Sequence, residues 1–161
     1  MNACGGTEAR GLTLLEALLA AAVLAAVVAA VIMPFAAGAR CTAQDARSTL
    51  AVHLAEALME EILAKPFSDP DGADVEMDRA AFDDMDDYDQ YTEAEGAIAD
   101  MDGVVEDSPA SVGLSREATV EAVYVAGQDV GEPATFRRIT VQVRYRGEPI
   151  ATLARLAYAN E

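Results

Sequence analysis

Residues 12–39 read LTLLEALLAAAVLAAVVAAVIMPFAAGA, and this stretch decides the fold. Ala17 to Met33 is an unbroken apolar run of 17 residues, and Leu12, Leu14 and Leu15 extend it backwards. Taken on to Ala37, it is just long enough to cross a hydrocarbon layer of roughly 30 Å as a helix. Alanine and leucine dominate it, and both are strong helix formers. Two residues interrupt the pattern: Glu16 near the start and Pro34 near the end, where a proline is expected to kink or loosen the helix.

The helical pattern continues beyond the apolar run. From Arg40 to Ala64, Leu50, Leu54, Leu58 and Ile62 step by four, with Ala51, Ala55, Met59 and Leu63 beside them. Asp45, Arg47, Glu56, Glu60 and Glu61 are expected on the opposite side, which makes this an amphipathic helix with one core-facing stripe. Lys65-Pro66 ends it, because the residue before a proline avoids the helical region. One helix from Leu12 to Ala64 is expected, about 80 Å long at 1.5 Å per residue. Its first half is greasy all round and its second half one-sided.

Residues 67–107 hold 16 acidic residues and one basic residue, Arg79. Periodicity is weak here and turn formers recur: Asp69-Pro70, Asp71-Gly72 and Asp102-Gly103. A loop-rich segment is expected, with a short helix near Arg79–Phe82. The last third reads as sheet. Glu117–Val125 is rich in β formers, and Arg138–Tyr145 alternates polar and apolar residues with period two. A turn at Arg146-Gly147-Glu148-Pro149 leads to a partner strand, Ile150–Tyr158. The apolar faces of these strands need a cover, which the stripe on the Arg40–Ala64 helix supplies. The predicted class is therefore α+β: a long N-terminal helix packed on a small antiparallel sheet. Five segments follow: 1–11, 12–37, 38–65, 66–116 and 117–161.

Charge narrows the function. The chain has 161 residues, with 28 acidic against 11 basic, a formal net charge of -17. It repels phosphates, so binding nucleic acid by charge is excluded. It also repels anionic lipid, so membrane contact must come from apolar burial. No phosphate-binding loop, zinc spacing or hydrolase elbow is present, and the only histidine, His53, has no nucleophile motif beside it. The residues give no support for an enzyme. Cys4 and Cys41 are the only cysteines; if a leader carrying Cys4 is removed, Cys41 stands alone and no disulfide within the mature chain is possible.

Arg10-Gly11, then Leu12-Thr13-Leu14-Leu15-Glu16, then the apolar helix: this order resembles the processing site of type IV prepilins and of type II secretion pseudopilins. The resemblance implies cleavage between Gly11 and Leu12 by a membrane-bound prepilin peptidase, which then methylates the new amine on Leu12. It also implies that the Glu16 carboxylate, fifth in the mature chain, meets the N-terminal amine of a neighbouring subunit. A secretory signal differs, since there the apolar region precedes the cut and is lost. The implied partners are the peptidase, other pilin or pseudopilin subunits and an inner-membrane assembly platform. The implied location is the bacterial inner membrane, single-pass, with the N-terminus cytoplasmic. This sequence departs from the family in an acidic Glu8 within the leader, in Leu12 where phenylalanine is commoner, and in Pro34, one position later than usual.

Residues 54–67 and Phe82–Asp89 are similar to segments of minor pilins of the PilV and mannose-sensitive-haemagglutinin types. This favours a minor pilus subunit, with a secretion pseudopilin as one alternative and a single-span membrane protein with an acidic calcium- or ligand-binding domain as the other. For calcium the candidates are Asp69, Asp71, Asp83, Asp84, Asp86, Asp87 and Asp89. Their spacing does not fit an EF-hand loop, and a solvated acidic loop is the expectation the residues favour.

Overall fold

The computed structural model describes residues 13–70, 76, 78–129, 131 and 133–158. Gly11 and Leu12 at the junction, Asp71, and the predicted Asp71-Gly72 turn lie outside them. The described chain runs α1 (Leu14–Leu63), a 3-10 turn (Asp86–Tyr88), β1 (Thr92–Glu93), β2 (Leu114–Val123), β3 (Phe136–Tyr145) and β4 (Glu148–Tyr158). It divides into two compact units, 1–42 and 43–161.

In the first unit, α1 begins where the Thr13 hydroxyl accepts the backbone N–H of Glu16 at 3.3 Å. Thr13 and Glu16 have the spacing of a capping box, and an acidic residue in the first turn suits the helix dipole. The helix is unbroken through Pro34. Leu14, Leu24, Ile32 and Phe35 are all more than half exposed. This helix is long and apolar enough to cross a membrane.

In the second unit the sheet order is β1-β2-β3-β4, antiparallel throughout. Strand alternation puts Leu114, Ala118 and Val120 of β2 on one face with Ile139, Val141 and Val143 of β3, all of them buried. Ala51, Ala55, Leu58, Met59 and Ile62 of α1 belong to the same buried cluster, as do Phe82, Met85, Tyr88 and Ile98 from the acidic segment. Alanines at 51, 55 and 118 remove bulk where the helix meets the sheet. The α+β class and the covering role of the stripe follow from this packing.

Several details depart from the sequence reading. Residues 79–81 form a turn, and the short helix is a 3-10 turn later in the chain, at Asp86–Tyr88. The acidic segment contributes a strand, β1, which pairs Thr92 with Glu117 and Glu93 with Arg116. Strand β2 starts at Leu114, inside the segment expected to be loop, and β3 at Phe136. The β3–β4 turn is Arg146-Gly147 alone, both at positive φ (51° and 86°), so Glu148 and Pro149 already belong to β4. Positive φ at both central residues is the geometry of a two-residue hairpin turn. Leu63 is exposed rather than part of the core stripe. Glu61 and Arg47 face the protein rather than solvent: Glu61 enters a buried ion network, and the Arg47 guanidinium lies 3.9 Å from the Tyr145 ring centre.

Leu58 is fully buried at the centre of the helix–sheet contact. Leu58→Ala is expected to destabilise the second unit by about 3 kcal/mol, from lost burial and the cavity left behind. Urea unfolding followed by circular dichroism of the detergent-solubilised chain measures it.

Candidate functional site

The start of α1 holds Glu16, and the acidic segment holds the described calcium candidates. At the helix start, Glu16 lies exposed in the first turn. Its backbone N–H is satisfied by Thr13, while its carboxylate has no partner among the described residues.

The acidic segment splits the calcium candidates between different tasks. Asp84 Oδ1 accepts the backbone N–H groups of Asp86 and Asp87 at 2.7 and 3.1 Å. Asp87 Oδ2 in return accepts those of Asp83 and Asp84 at 2.9 and 3.2 Å. This reciprocal bonding shapes the turn before β1 and satisfies backbone groups that no ladder reaches. Asp86 instead grips Arg137 through two bonds of 2.7 Å, and Asp89 accepts the Val120 N–H of β2 at 3.0 Å. Both are thus committed elsewhere.

Two overlapping sets remain close: Asp69, Asp83 and Asp84, and Glu76, Asp83 and Asp87, each with carboxylate oxygens within 4.8 Å of one another. Three carboxylates supply only part of the roughly six to eight oxygens calcium takes. Burial, and then the neighbouring Asp87 and Asp86 charges, push the Asp84 carboxyl up despite its backbone bonds. Asp87 is held down: burial opposes this, but bonding with the Glu76 carboxyl and with the backbone of Asp83 and Asp84 outweighs it. One carboxyl raised and its neighbour lowered is how a crowded acidic cluster lowers its own repulsion.

A second group of charged residues was not foreseen. Glu61 Oε1 accepts from Arg79 Nε at 2.9 Å and from the Tyr88 hydroxyl at 2.8 Å, and its other oxygen pairs with Arg79 Nη2. Arg79 Nη1 donates to Glu93 and to the Ala99 carbonyl, both at 3.0 Å. Arg116, 3% exposed, pairs with Glu93 and donates to the carbonyls of Leu54 and Ala99, both at 2.8 Å. Glu93 also accepts the Ala99 N–H at 3.0 Å. Two arginines and two glutamates thus tie α1, the 79–81 turn, β1, β2 and the Ala99 loop together.

Burial pushes the Glu61 carboxyl up, but the bonds from Arg79 and Tyr88 outweigh it and hold Glu61 below the usual glutamate range. The same contact with Glu61 raises Arg79, and burial followed by Glu61 raises Tyr88. The network offers no nucleophile and no open coordination position; its chemistry is that of a clamp.

Elsewhere the sequence expectations meet simple surroundings. His53 is exposed and lies 3.6 Å from Glu56. Cys41 is exposed and free. Tyr88 is fully buried, and Phe82, Tyr88 and Tyr91 pack edge to face with ring centres 4.9 to 6.0 Å apart, whereas Tyr124 and Tyr158 are exposed. No family model matches the sequence, and no curated protein or solved structure matches it.

Two outcomes test the clamp. Arg116→Met leaves Glu93 charged and buried, and is expected to cost about 3–5 kcal/mol in urea unfolding. Adding Glu93→Leu to it is expected to recover part of that loss. For Glu61, a carboxyl depressed in the folded state contributes stability that is complete above its unfolded value, about 4.3, and that fades as pH falls through the folded value. The stability gap between the parent and Glu61→Gln is therefore expected to be full at neutral pH and to shrink in acid unfolding titrations below about pH 4.

Proposed function

We propose that this chain is a fibre-forming membrane subunit of the type IV pilin and pseudopilin kind, and that its assembly uses the N-terminal helix. The observation that carries the reading is α1 itself. One unbroken helix, Leu14–Leu63, is apolar all round and exposed at its start, and one-sided and packed on a sheet at its end. A helix of that design has two uses for one element. The first part resides in lipid or among copies of itself, and the second builds the folded part.

On this reading a prepilin peptidase cuts between Gly11 and Leu12 and methylates Leu12. The helix is stored in the inner membrane with its N-terminus on the cytoplasmic side. It then moves from lipid into the fibre core. That transfer gains little from the hydrophobic effect, because lipid tails are as apolar as leucine. Close packing at small residues such as Ala21, Ala22, Ala25 and Ala26 and the pairing of Glu16 with a neighbour's amine supply the drive. The similarity of residues 54–67 and 82–89 to minor pilins supports a minor subunit of a pilus. A pseudopilin of a secretion machine shares the fold and the processing, and neighbouring genes separate the two: retraction ATPase genes favour the pilus, and a secretin, ATPase and pseudopilin set favours secretion. The carboxylate sets around Asp83 support the rival reading, a single-span protein with a calcium-binding domain and no fibre. That rival expects no cut at Gly11.

Mass spectrometry of the protein from cells that hold the peptidase is expected to find a methylated Leu12 at the mature end. An intact Met1 rejects the fibre reading. Glu16→Ala is expected to leave membrane insertion unchanged and to lower recovery of the chain in sheared fibres about tenfold, the loss of one buried ion pair worth about 1.4 kcal/mol. Normal incorporation removes the pairing role from Glu16.

A further inference from the structure

The charges of the second unit are arranged with opposite signs at two places along its helix. Near Arg47, the Tyr145 ring has the Arg47 guanidinium 3.9 Å and the Arg146 guanidinium 5.2 Å from its centre. Arg146 is exposed at the tip of the β3–β4 turn, and its N–H donates to the Gly113 carbonyl at 2.8 Å, which fixes the turn. Neither arginine has a carboxylate partner among the described residues, and Arg47 Nε is buried without an acceptor. The acids nearest in sequence are Asp45 and Glu148, both exposed. About 20 Å further along the helix, at 1.5 Å per residue, Glu61 and Ala64 line a cleft of about 600 Å³.

The cleft is acidic and half apolar. Tyr91, Ala97 and Met101 wall it, and Asp78, Asp100 and Asp102 line it. Its two cations are already engaged: Lys65 donates to the Phe82 carbonyl and Arg79 pairs with Glu61 and Glu93. Asp100 Oδ1 accepts the N–H groups of Asp102 and Val104 at 3.0 and 2.8 Å, which holds the loop and leaves the Asp102 side chain exposed.

We propose that Arg146 of one copy of this chain enters the Asp100–Asp102 cleft of the next, in a head-to-tail contact between fibre neighbours. This rests on the fibre reading. The two surfaces are complementary in charge. A chain of net charge -17 repels its own copies unless opposite charges meet locally. Here an exposed arginine with no carboxylate partner among the described residues and a cleft rimmed by the exposed Asp78, Asp100 and Asp102 are both carried by the second unit. The contact joins two different surfaces, so it is heterologous and can repeat from copy to copy, as contacts along a filament do. A subunit present in few copies would then enter the fibre as consecutive runs.

The test uses the full chain in cells that hold the peptidase, with Cys41→Ser as background. Arg146→Cys and Asp102→Cys are placed on separate, co-expressed copies, and sheared fibres are mildly oxidised. A disulfide-linked dimer that needs both variants is expected. Arg146→Glu is expected to lower fibre recovery about fivefold, as a rim charge reversal does, and Asp102→Arg in the same chain is expected to restore it. If processed chain enters fibres yet no mixed dimer forms, this contact is overturned and the fibre reading stands. If Asp102→Arg fails to rescue, the loss belongs to the turn's own folding and the contact is likewise overturned. An unprocessed chain, absent from fibres, overturns both.

Discussion

An antiparallel sheet with one apolar face cannot stay in water uncovered, and among the described residues the only long element available to cover it is the same helix that begins as a bare apolar rod. Everything else follows from that double duty. Residues 51–62 of α1 must present a stripe to β2 and β3, so Ala51, Ala55, Leu58 and Ile62 recur on one face. Residues 14–39 are exposed on every face, and they are apolar on nearly all of them. A helix this greasy in its first half is long and apolar enough to cross a membrane.

The acidic segment faces a different constraint. It carries nearly all of the chain's negative charge excess and little apolar material, so burial alone cannot hold it down. Two devices replace a core. Phe82, Met85, Tyr88 and Ile98 give it a few anchors in the main cluster, and the Glu61–Arg79–Glu93–Arg116 network ties it to α1 and the sheet at five places in the chain. A buried ion network contributes less to stability than its bond count suggests, because desolvation offsets most of the attraction. Its value lies in direction. Arginines that also donate to the Leu54 and Ala99 carbonyls admit one arrangement of the loop and exclude sliding alternatives.

The helix, the sheet and the covering stripe were legible because each has a period that sequence displays directly: 3.6 for Leu50–Ile62 and two for Arg138–Tyr145. The strand β1 was not, since two residues are too short to show alternation. The ion network was half legible. Arg79 is the one base among 16 acids, and Arg116 takes an inward place in the alternation Leu114, Arg116, Ala118, Val120. A charge in an apolar register signals a buried partner, but nothing local names Glu61 or Glu93 as that partner, because their separations in sequence reach 23 residues. Asp86 and Asp89 stood among the calcium candidates only as members of the acidic run, whose spacing fits no EF-hand loop; their bonds to Arg137 and Val120 depend on strands far along the chain. The junction at Gly11 was readable only by resemblance.

Glu16 stands where the helix start meets the apolar run. Its place in the first turn has a local explanation, since acidic residues favour helix starts and Thr13 caps its N–H. That explanation uses the backbone of Glu16 and the sign of its charge, yet it assigns no partner to the carboxylate. A surface helix would leave such a carboxylate to water at no cost. This helix continues into 17 apolar residues directly after it, and a carboxylate carried into that environment is expensive until a cation meets it. On the fibre reading proposed above, a cut at Gly11 would create that cation, an amine on Leu12 four residues before Glu16, on every copy alike. On that reading capping and pairing would be successive uses of one residue: the cap sets where the helix begins, and the unsatisfied charge would then make an isolated rod less favourable than a row of them.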